Sequence, residues 1–226
     1  MTLSGATANQ TLNLVSVADT YCSQNLSGSS TVIVNALPAC SITGLDGPVC
    51  PSSSNNYTAP VGMTTYLWSI SDNGSIPGAT NQQNVSVTAG SNCNQSFTLT
   101  LVITDGNGCS SSCQKIVSVT DNTAPTLTGT AYAGTTGTNA CMADAATAAP
   151  FSAADAIQGY TDNCGGAVTA ELTDTQVTGT DCAWTVEYTF KVVDGCGNEL
   201  TGQTYSNTGG DKTAPTLASG MSWPAD

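Results

Sequence analysis

The feature that most constrains this chain of 226 residues is a pattern that recurs three times along it. In each copy an alternating strand ends at Asp, a turn rich in Gly, Ser and Cys follows, and a second strand leads into a joint that contains Pro. The copies read TLNLVSVADTYCSQNLSGSSTVIVNALPAC, SFTLTLVITDGNGCSSSCQKIVSVTDNTAPTL and AWTVEYTFKVVDGCGNELTGQTYSNTGGDKTAPTL. Regular strands with repeated joints are typical of tandem β-sandwich domains. Each copy is therefore interpreted as the closing hairpin of one sandwich followed by a linker.

Apolar and polar side chains alternate within these copies at the period of a half-buried strand. Apolar residues occupy every second position of 97–103 and of 184–192, with Thr, Glu or Lys between them in the second row. A third row holds Tyr66, Trp68 and Ile70, with Trp68 as the central core aromatic. Such rows supply the core between two packed sheets. The chain is predicted to be all-β.

The repeats also predict where the domains begin and end. The sequence TAPTL at 213–217 repeats TAPTL at 123–127, so a new domain is expected to begin after each of the two later joints. The predicted segments are the last strands of a partial sandwich in 1–38, a complete sandwich in 39–122, a second and different sandwich in 123–212, and the start of a further repeat in 213–226.

Both ends are thus predicted to be incomplete domains, which would leave apolar faces and strand edges exposed. Two explanations compete. The preferred one is that the chain is a window on a much longer protein. The other is that an end strand of one subunit completes the next subunit, which would build a fibre by strand addition.

One short helix is predicted in the second complete sandwich. Ser152 is placed to cap its N-terminus, Asp155 occupies the capping-box position, and Gly159 is placed to end it.

Charge excludes several classes of partner. The chain has 3 Lys and Arg against 16 Asp and Glu, a formal net charge of -13, and no His. No basic face can be built to neutralise nucleic-acid phosphates, and an anionic membrane surface would repel the chain. No segment is long and apolar enough to be a membrane-embedded span. A chain this acidic is suited to bind cations.

The ten Cys residues are interpreted as disulfides. Without His and without paired C-x-x-C knuckles, the sequence does not fit the usual zinc patterns. Disulfides form in oxidising compartments, which predicts an extracellular protein.

The pairing of these Cys residues is predicted from sandwich topology, because loops at one pole of a sandwich lie near one another. In the second complete domain the expected bonds are Cys141–Cys182 and Cys164–Cys196. In the first complete domain they are Cys50–Cys93 and Cys40 with either Cys113 or Cys109. Cys22 and one of Cys109 or Cys113 are left without an obvious partner, with Cys22–Cys109 one possibility.

Two segments resemble known domain types. The stretch from CSITGLDGPVC through FTLTLVITDGNGC is similar to the PKD-like domain of large bacterial surface proteins. DNTAPTLTG, YTDNCGG and CAWTVEYTFKVVDGCGN resemble the HYR-like, immunoglobulin-type repeats of the same proteins. The combination resembles giant secreted adhesins of Bacteroidetes, including gliding-motility adhesins. This resemblance implies tandem immunoglobulin-like β-sandwich domains, a cell-surface location and an adhesive or stalk function, and it implies no catalytic residue.

Catalysis is not expected from the residues either. A Ser-His-Asp or Cys-His arrangement needs a His that this chain lacks. Glu171 and Asp174 are close in sequence, but they are interpreted as solvated residues at a strand end rather than as a glycosidase pair. We predict that the chain by itself is not an enzyme.

Calcium is the one ligand that the residues favour. Carboxylate and amide oxygens suit Ca²⁺ and cluster here at turns and joints, although tight turns use the same residue types. The candidate ligands are Asp105, Asn107, Asp121, Asn122, Asp162, Asp194, Asn198 and Asp211.

The function predicted from these observations is a structural and adhesive stalk or filament whose partners are neighbouring repeats or subunits, with surface glycans as a further possible partner. The first alternative is an accessory, glycan-binding module of a secreted hydrolase, which needs exposed aromatic side chains. The second alternative is a fibre subunit completed by strand exchange. The aromatic candidates for the glycan-binding alternative are Tyr57, Tyr132, Tyr160 and Tyr205.

Overall fold

The structure is a computed structural model that describes residues 7–216 and Met221. The chain divides into two compact units, one formed by residues up to Gly90 with Ser96–Ser118 and the other by Ser91–Gln95 with Val119 onward. Nearly all of its regular structure is β-strand. The predicted class, tandem immunoglobulin-like β-sandwiches with disulfides, is therefore confirmed. The domain boundaries after residues 38, 122 and 212 stay predictions, and most of the last segment lies outside the described residues.

The first regular structure is an antiparallel hairpin of β1 (Gln10–Ala18) and β2 (Ser23–Val32). The Asp19 carboxylate shapes its turn by accepting hydrogen bonds from the backbone N–H groups of Tyr21 and Cys22, at 2.8 and 2.7 Å. Every residue of both strands is exposed, including the apolar side chains of β1. An isolated two-stranded hairpin buries too little apolar surface to hold a core of its own.

Two three-stranded antiparallel sheets make up the sandwich of the first unit, in the orders β3-β6-β5 and β4-β7-β8. The strands are β3 (Ser54–Thr58), β4 (Thr65–Asp72), β5 (Gly74–Ser75), β6 (Asn84–Ala89), β7 (Gln95–Thr104) and β8 (Ser110–Val119).

The core of the first unit comes from the alternation along β7. Phe97, Leu99, Leu101 and Ile103 are all fully buried, as the sequence predicts. Trp68 on β4 is buried with them, and its indole N–H donates to the Gln82 carbonyl at 2.8 Å. Burying this ring with its polar atom paired lets it add apolar contact without a desolvation penalty.

The second unit contains the two-stranded sheet β10-β9 and the three-stranded antiparallel sheet β11-β12-β13. The strands are β9 (Thr126–Leu127), β10 (Tyr160–Thr161), β11 (Thr169–Thr180), β12 (Ala183–Val193) and β13 (Glu199–Gly209). The predicted inward row of β12 is confirmed, since its five apolar residues are all buried: Trp184, Val186, Tyr188, Phe190 and Val192.

Short helical turns cover this core. A 3₁₀ turn (Met142–Asp144) leads into α1 (Ala145–Ala148), and α2 (Ala153–Ala156) follows. The predicted cap is confirmed, because the Ser152 hydroxyl oxygen accepts from the Asp155 N–H at 3.2 Å. The helix ends before Gly159, which has φ of 81° and closes the turn into β10. The earlier helical turns were not predicted from the sequence.

Over the part of the chain that the structure describes, no helix has the length and apolar character that a bilayer span needs.

We predict that Gly209→Ala destabilises the second unit by about 1–3 kcal/mol, because overpacking forces neighbouring groups to move. A Cβ at Gly209, on β13, would overlap the Thr138 carbonyl oxygen and the Trp184 ring. Chemical denaturation measures the loss. Gly166→Ala is the matched control, because a Cβ there meets nothing within 4 Å. Equal stability of the two variants would contradict this packing.

Candidate functional site

Two carboxylates of the second unit come together where two strands end. Asp121 follows β8 and Asp162 follows β10. Ligand-forming oxygens of these two residues and the Cys164 sulfur all lie within 4.8 Å of one another. We call Asp121 and Asp162 the carboxylate pair. Both were among the eight calcium ligands predicted from the sequence.

Each member of the carboxylate pair is positioned by its own loop. Asp121 is 6% exposed, and its Oδ1 accepts from the Thr123 N–H at 3.0 Å. Asp162 Oδ2 accepts from the Cys164 N–H at 2.8 Å. Asp162 Oδ1 is completely buried and accepts no hydrogen bond. One oxygen of this carboxylate is therefore shielded from water, beside the Asp121 carboxyl group.

The electrostatics of the pair follow from this packing. Burial raises the pKa of Asp162 above its ordinary value of 3.8, and the neighbouring Asp121 carboxylate adds to the rise. The hydrogen bond from the Cys164 N–H opposes the rise without cancelling it. Two like charges at this separation disfavour each other's ionised form.

A third carboxylate, that of Asp194, holds the turn between β12 and β13. Its Oδ1 accepts from the N–H groups of Cys196 and Asn198, at 2.8 and 2.9 Å. The Asn198 amide donates to Asp194 Oδ2 at 2.8 Å and to the Asp121 carbonyl at 3.0 Å. Burial pushes the pKa of Asp194 upward, but the hydrogen bonds from Asn198 and Cys196 outweigh it and leave the pKa below 3.8.

The other predicted calcium ligands act as turn residues. Asp105 Oδ1 accepts from the N–H groups of Asn107 and Cys109, both at 2.9 Å. Asp211 Oδ1 accepts from the Thr213 N–H at 2.8 Å. The Asn122 side-chain oxygen accepts from the Thr120 hydroxyl at 3.5 Å. Asp105 and Asp211 therefore serve their own local turns. The structure brings together two other pairs of predicted ligands, the carboxylate pair and Asp194 with Asn198, and the Asn198 amide also reaches the Asp121 carbonyl.

Two disulfides join segments that are far apart in the sequence. Cys40 is bonded to Cys113, one of the two partners that the sequence left open. Cys93 is bonded to Cys196. The predicted bonds Cys50–Cys93 and Cys164–Cys196 are therefore wrong.

The physical reason for this correction lies in residues 91–95, which pack as part of the second unit although they lead directly into β7 of the first unit. That placement brings Cys93 to the turn of β12 and β13. Cys50 and Cys164 are both disulfide-bonded. The Cys164 sulfur is therefore not a thiolate and is not available as a soft metal ligand.

The predicted bond Cys141–Cys182 is also absent, since both thiols are free and exposed. Hydrogen bonds hold the chain around these two residues instead. The Met142 N–H donates to Asp181 Oδ1 at 3.0 Å, and the Cys141 thiol donates to Asp211 Oδ2 at 3.9 Å. The nearby Asp211 carboxylate is the main cause that raises the pKa of Cys141. Cys22 and Cys109 are free as well.

The aromatic candidates for glycan binding do not form an exposed platform. Tyr57, Tyr160 and Tyr205 are buried, at 0%, 9% and 5% exposure. Tyr132 is half-buried and packs edge-on against Tyr205, with ring centroids 5.0 Å apart. These rings are core residues rather than a surface for stacking sugars.

Comparison with known proteins finds distant likeness of fold. No family model and no curated protein matches the sequence. A protocadherin gammaB7 EC3-6 cis-dimer structure aligns at 14% identity over 87% of this chain and 59% of that chain, with a TM-score of 0.30. Fibronectin(III)-like modules of Clostridium thermocellum CbhA align at 11% identity over 79% of this chain and 100% of theirs, with a TM-score of 0.26.

A third structure is SGBP-B of the Bacteroides ovatus mixed-linkage glucan utilization locus, in complex with a mixed-linkage heptasaccharide. It aligns at 13% identity over 88% of this chain and 54% of that chain, with a TM-score of 0.21. This chain thus spans less than two thirds of the protocadherin and SGBP-B chains. These likenesses concern the β-fold alone.

We predict that Cys196→Ser destabilises the second unit by roughly 2–5 kcal/mol, because it removes a bond that closes a long loop of the unfolded chain. Thermal unfolding of the oxidised protein measures the loss. Cys22→Ser is the matched control, because Cys22 is exposed and free. Non-reducing peptide mapping should recover Cys93 joined to Cys196. A recovered Cys164–Cys196 peptide would contradict the arrangement.

We predict that Asp194→Asn costs about 1–3 kcal/mol at neutral pH, since it weakens charge-assisted hydrogen bonds in the β12–β13 turn. The folded-state pKa of Asp194 lies below 3.8, so its contribution is present above that pH and is lost as the pH falls through the folded value. Urea unfolding at several pH values tests this. The gap between variant and parent should close in acid, whereas a gap independent of pH would contradict the assignment.

Proposed function

We propose that this chain is a structural and adhesive segment of a secreted bacterial cell-surface repeat protein that forms a stalk or filament. The observation that carries the proposal is the series of two β-rich units, each with its own buried strand row and its own disulfide. The resemblance of their sequences to PKD-like and HYR-like repeats of giant Bacteroidetes adhesins supports the same conclusion.

The exposed surfaces suit this role. On β12 the outward positions carry Thr185, Glu187, Thr189 and Lys191, and Lys191 forms ion pairs with Glu171 and Glu199 at 3.0 and 2.7 Å. Such polar faces keep a long array soluble, and a net charge of -13 adds repulsion between neighbouring arrays. Weak binding to surface glycans or to neighbouring repeats would be multiplied over many copies.

Disulfides support an extracellular location, because the bacterial cytosol keeps thiols reduced. The proposed site of action is therefore the outer surface of the cell. The proposal assigns no catalytic residue to this chain.

The strand-exchange alternative has one observation in its favour. The β1–β2 hairpin exposes apolar side chains along its length, with Leu14 50%, Val15 76% and Val17 53% exposed. A strand from another copy could pair with such an edge and continue into a filament. The glycan-binding accessory alternative cannot use its predicted aromatic residues as an exposed platform, because three of them are buried and Tyr132 is half-buried.

We predict that electron microscopy of native surface material from the producing cells reveals thin, beaded chains whose period matches one domain. Cells lacking the gene provide the control. Compact particles that carry a separate catalytic body would overturn the stalk proposal.

The same imaging applied to the purified chain separates the two assembly modes. A stalk segment stays dispersed, whereas strand exchange produces filaments from this chain alone. Val15→Lys should then abolish the filaments, and Val61→Lys should not, although both valines are 76% exposed. Filaments that survive Val15→Lys would exclude the hairpin as the exchanging edge.

A further inference from the structure

Two exposed thiols lie beside the segment that leaves β13. Asp181 Oδ1 accepts from the Met142 N–H at 3.0 Å, and the Asp181 carbonyl accepts from the Asp211 N–H at 2.6 Å. The sequence neighbours Cys141 and Cys182 are therefore held close to Asp211, and the Cys141 thiol donates to Asp211 Oδ2 at 3.9 Å. Both thiols are free and exposed. We call Cys141, Cys182 and Asp211 the thiol surface.

The repeat in the sequence gives the thiol surface a counterpart in Cys93 and Asp121. Cys93 and Cys182 each lie 12 residues before the Asp that opens a hairpin turn, at 93 and 105 in one copy and at 182 and 194 in the other. Each leads into the central strand of its sheet, β7 or β12. Asp121 and Asp211 each stand two residues before TAPTL, and the Oδ1 of each accepts from the backbone N–H two residues ahead.

The counterpart residues are already joined to the body of the second unit. Cys93 is bonded to Cys196 in the turn between β12 and β13. The Asn198 amide of the same turn donates to the Asp121 carbonyl at 3.0 Å. The Cys164 sulfur lies within 4.8 Å of an Asp121 carboxylate oxygen. One hairpin turn and one loop of a repeat of this type therefore contact the counterpart of the thiol surface.

We propose that the thiol surface binds a further repeat of the same type as the second unit and forms two disulfides with it. Cys182 bonds the Cys of the partner's Asp-Gly-Cys-Gly-Asn turn, as Cys93 bonds Cys196. The Asn of that turn donates to the Asp211 carbonyl. This inference rests on the proposed array of repeats and names the residues through which successive repeats join.

Cys141 makes the second bond, with the Cys of the partner's Thr-Asp-Asn-Cys loop. In this chain that loop brings the Cys164 sulfur to the Asp121 carboxylate. The Cys141 thiol already lies at the equivalent carboxylate, that of Asp211. A partner loop in the same arrangement therefore brings its sulfur to Cys141.

The spacing within the turn identifies the partner. Cys196 stands two residues after its turn Asp, and Asn198 stands two residues further on. The other free thiols also lie in hairpin turns, but Cys109 stands four residues and Cys22 three residues after the turn Asp. A second copy of this chain is therefore not the partner, because its own Cys196 is bonded and its free turn thiols have another spacing.

Each bond forms by thiol–disulfide exchange. One hydrogen leaves each of the two thiols as their sulfurs join. A small disulfide such as oxidised glutathione accepts the two electrons and two protons and is released as two thiols. The oxidising compartment in which disulfides persist supplies an acceptor of this class.

The test extends the full chain by placing a second copy of residues 123–226 directly after residue 212. The parent has four free thiols, and the added copy brings four more Cys. After equilibration with oxidised and reduced glutathione, the extended chain should still carry four alkylatable thiols, because two new bonds form. Six or eight alkylatable thiols would overturn the proposal.

Non-reducing peptide mapping identifies the bonds. Parent Cys182 should be joined to Cys196 of the added copy, and parent Cys141 to its Cys164. Cys196→Ser in the added copy should free parent Cys182 alone and raise the count to five thiols. A bond between Cys141 and Cys182 of one repeat, or between Cys182 and Cys109 of a second molecule, would overturn the proposal.

Cys22→Ser in the extended chain is the matched control, because Cys22 is free and exposed but lies outside the thiol surface. It should lower the count to three thiols and leave both new bonds in place. Loss of either bond in this control would count against the assignment.

Native surface material from the producing cells gives a measurement that needs no engineered chain. When thiols are alkylated before extraction, Cys182 should be recovered unlabelled and joined to a Cys of another repeat. Labelled Cys182 would overturn this joint even where micrographs reveal beaded chains. Bonded Cys182 in material without beaded chains would overturn the stalk alone, so the two proposals fail separately.

Discussion

Each unit is built around one central strand whose side chains alternate between the core and the outer face. Along β7 and β12 every second side chain enters the core, and the side chains between them face outward or are half-buried. The apolar side chains of these two rows are buried, and burial of apolar surface is the main favourable term in folding. The remaining strands, the short helical turns and the disulfides are arranged around a core that these rows define.

This dependence explains which parts of the fold could be predicted from sequence. Periodicity of two is a local signal, so the rows of β7 and β12 and the central position of Trp68 follow directly from residue order. The Ser152 cap is equally local, because donor and acceptor are three residues apart. Helical turns over Met142–Ala148 carry a weaker signal, since they are short and are held by distant contacts such as that of Met142 with Asp181.

Contacts between residues far apart in the sequence, such as disulfide partners, could not be predicted reliably from the sequence. The poles of a sandwich were used to pair Cys residues within each domain, and this reasoning assigned Cys93 to the first domain. The segment 91–95 instead belongs to the second unit. Asp121 and Asp162 were likewise recognised as oxygen donors, but so were six other residues of the same kind. What singles out the pair is the buried, unbonded Oδ1 of Asp162, and that property exists only once the loops are placed.

The two defined disulfides overlap along the chain, because Cys93 lies inside the loop closed by Cys40 and Cys113. When the chain is pulled, force that enters at Cys40 passes through the first disulfide to Cys113. It then follows the backbone back to Cys93 and passes through the second disulfide to Cys196. Only the backbone between Cys93 and Cys113 lies on that covalent route, and it contains β7 and the beginning of β8, up to Cys113. Such a segment can extend only by stretching the backbone on this route, which spans at most about 3.3–3.6 Å for each residue. In the proposed cell-surface role, this connectivity would limit extension under shear even after the sheets have separated.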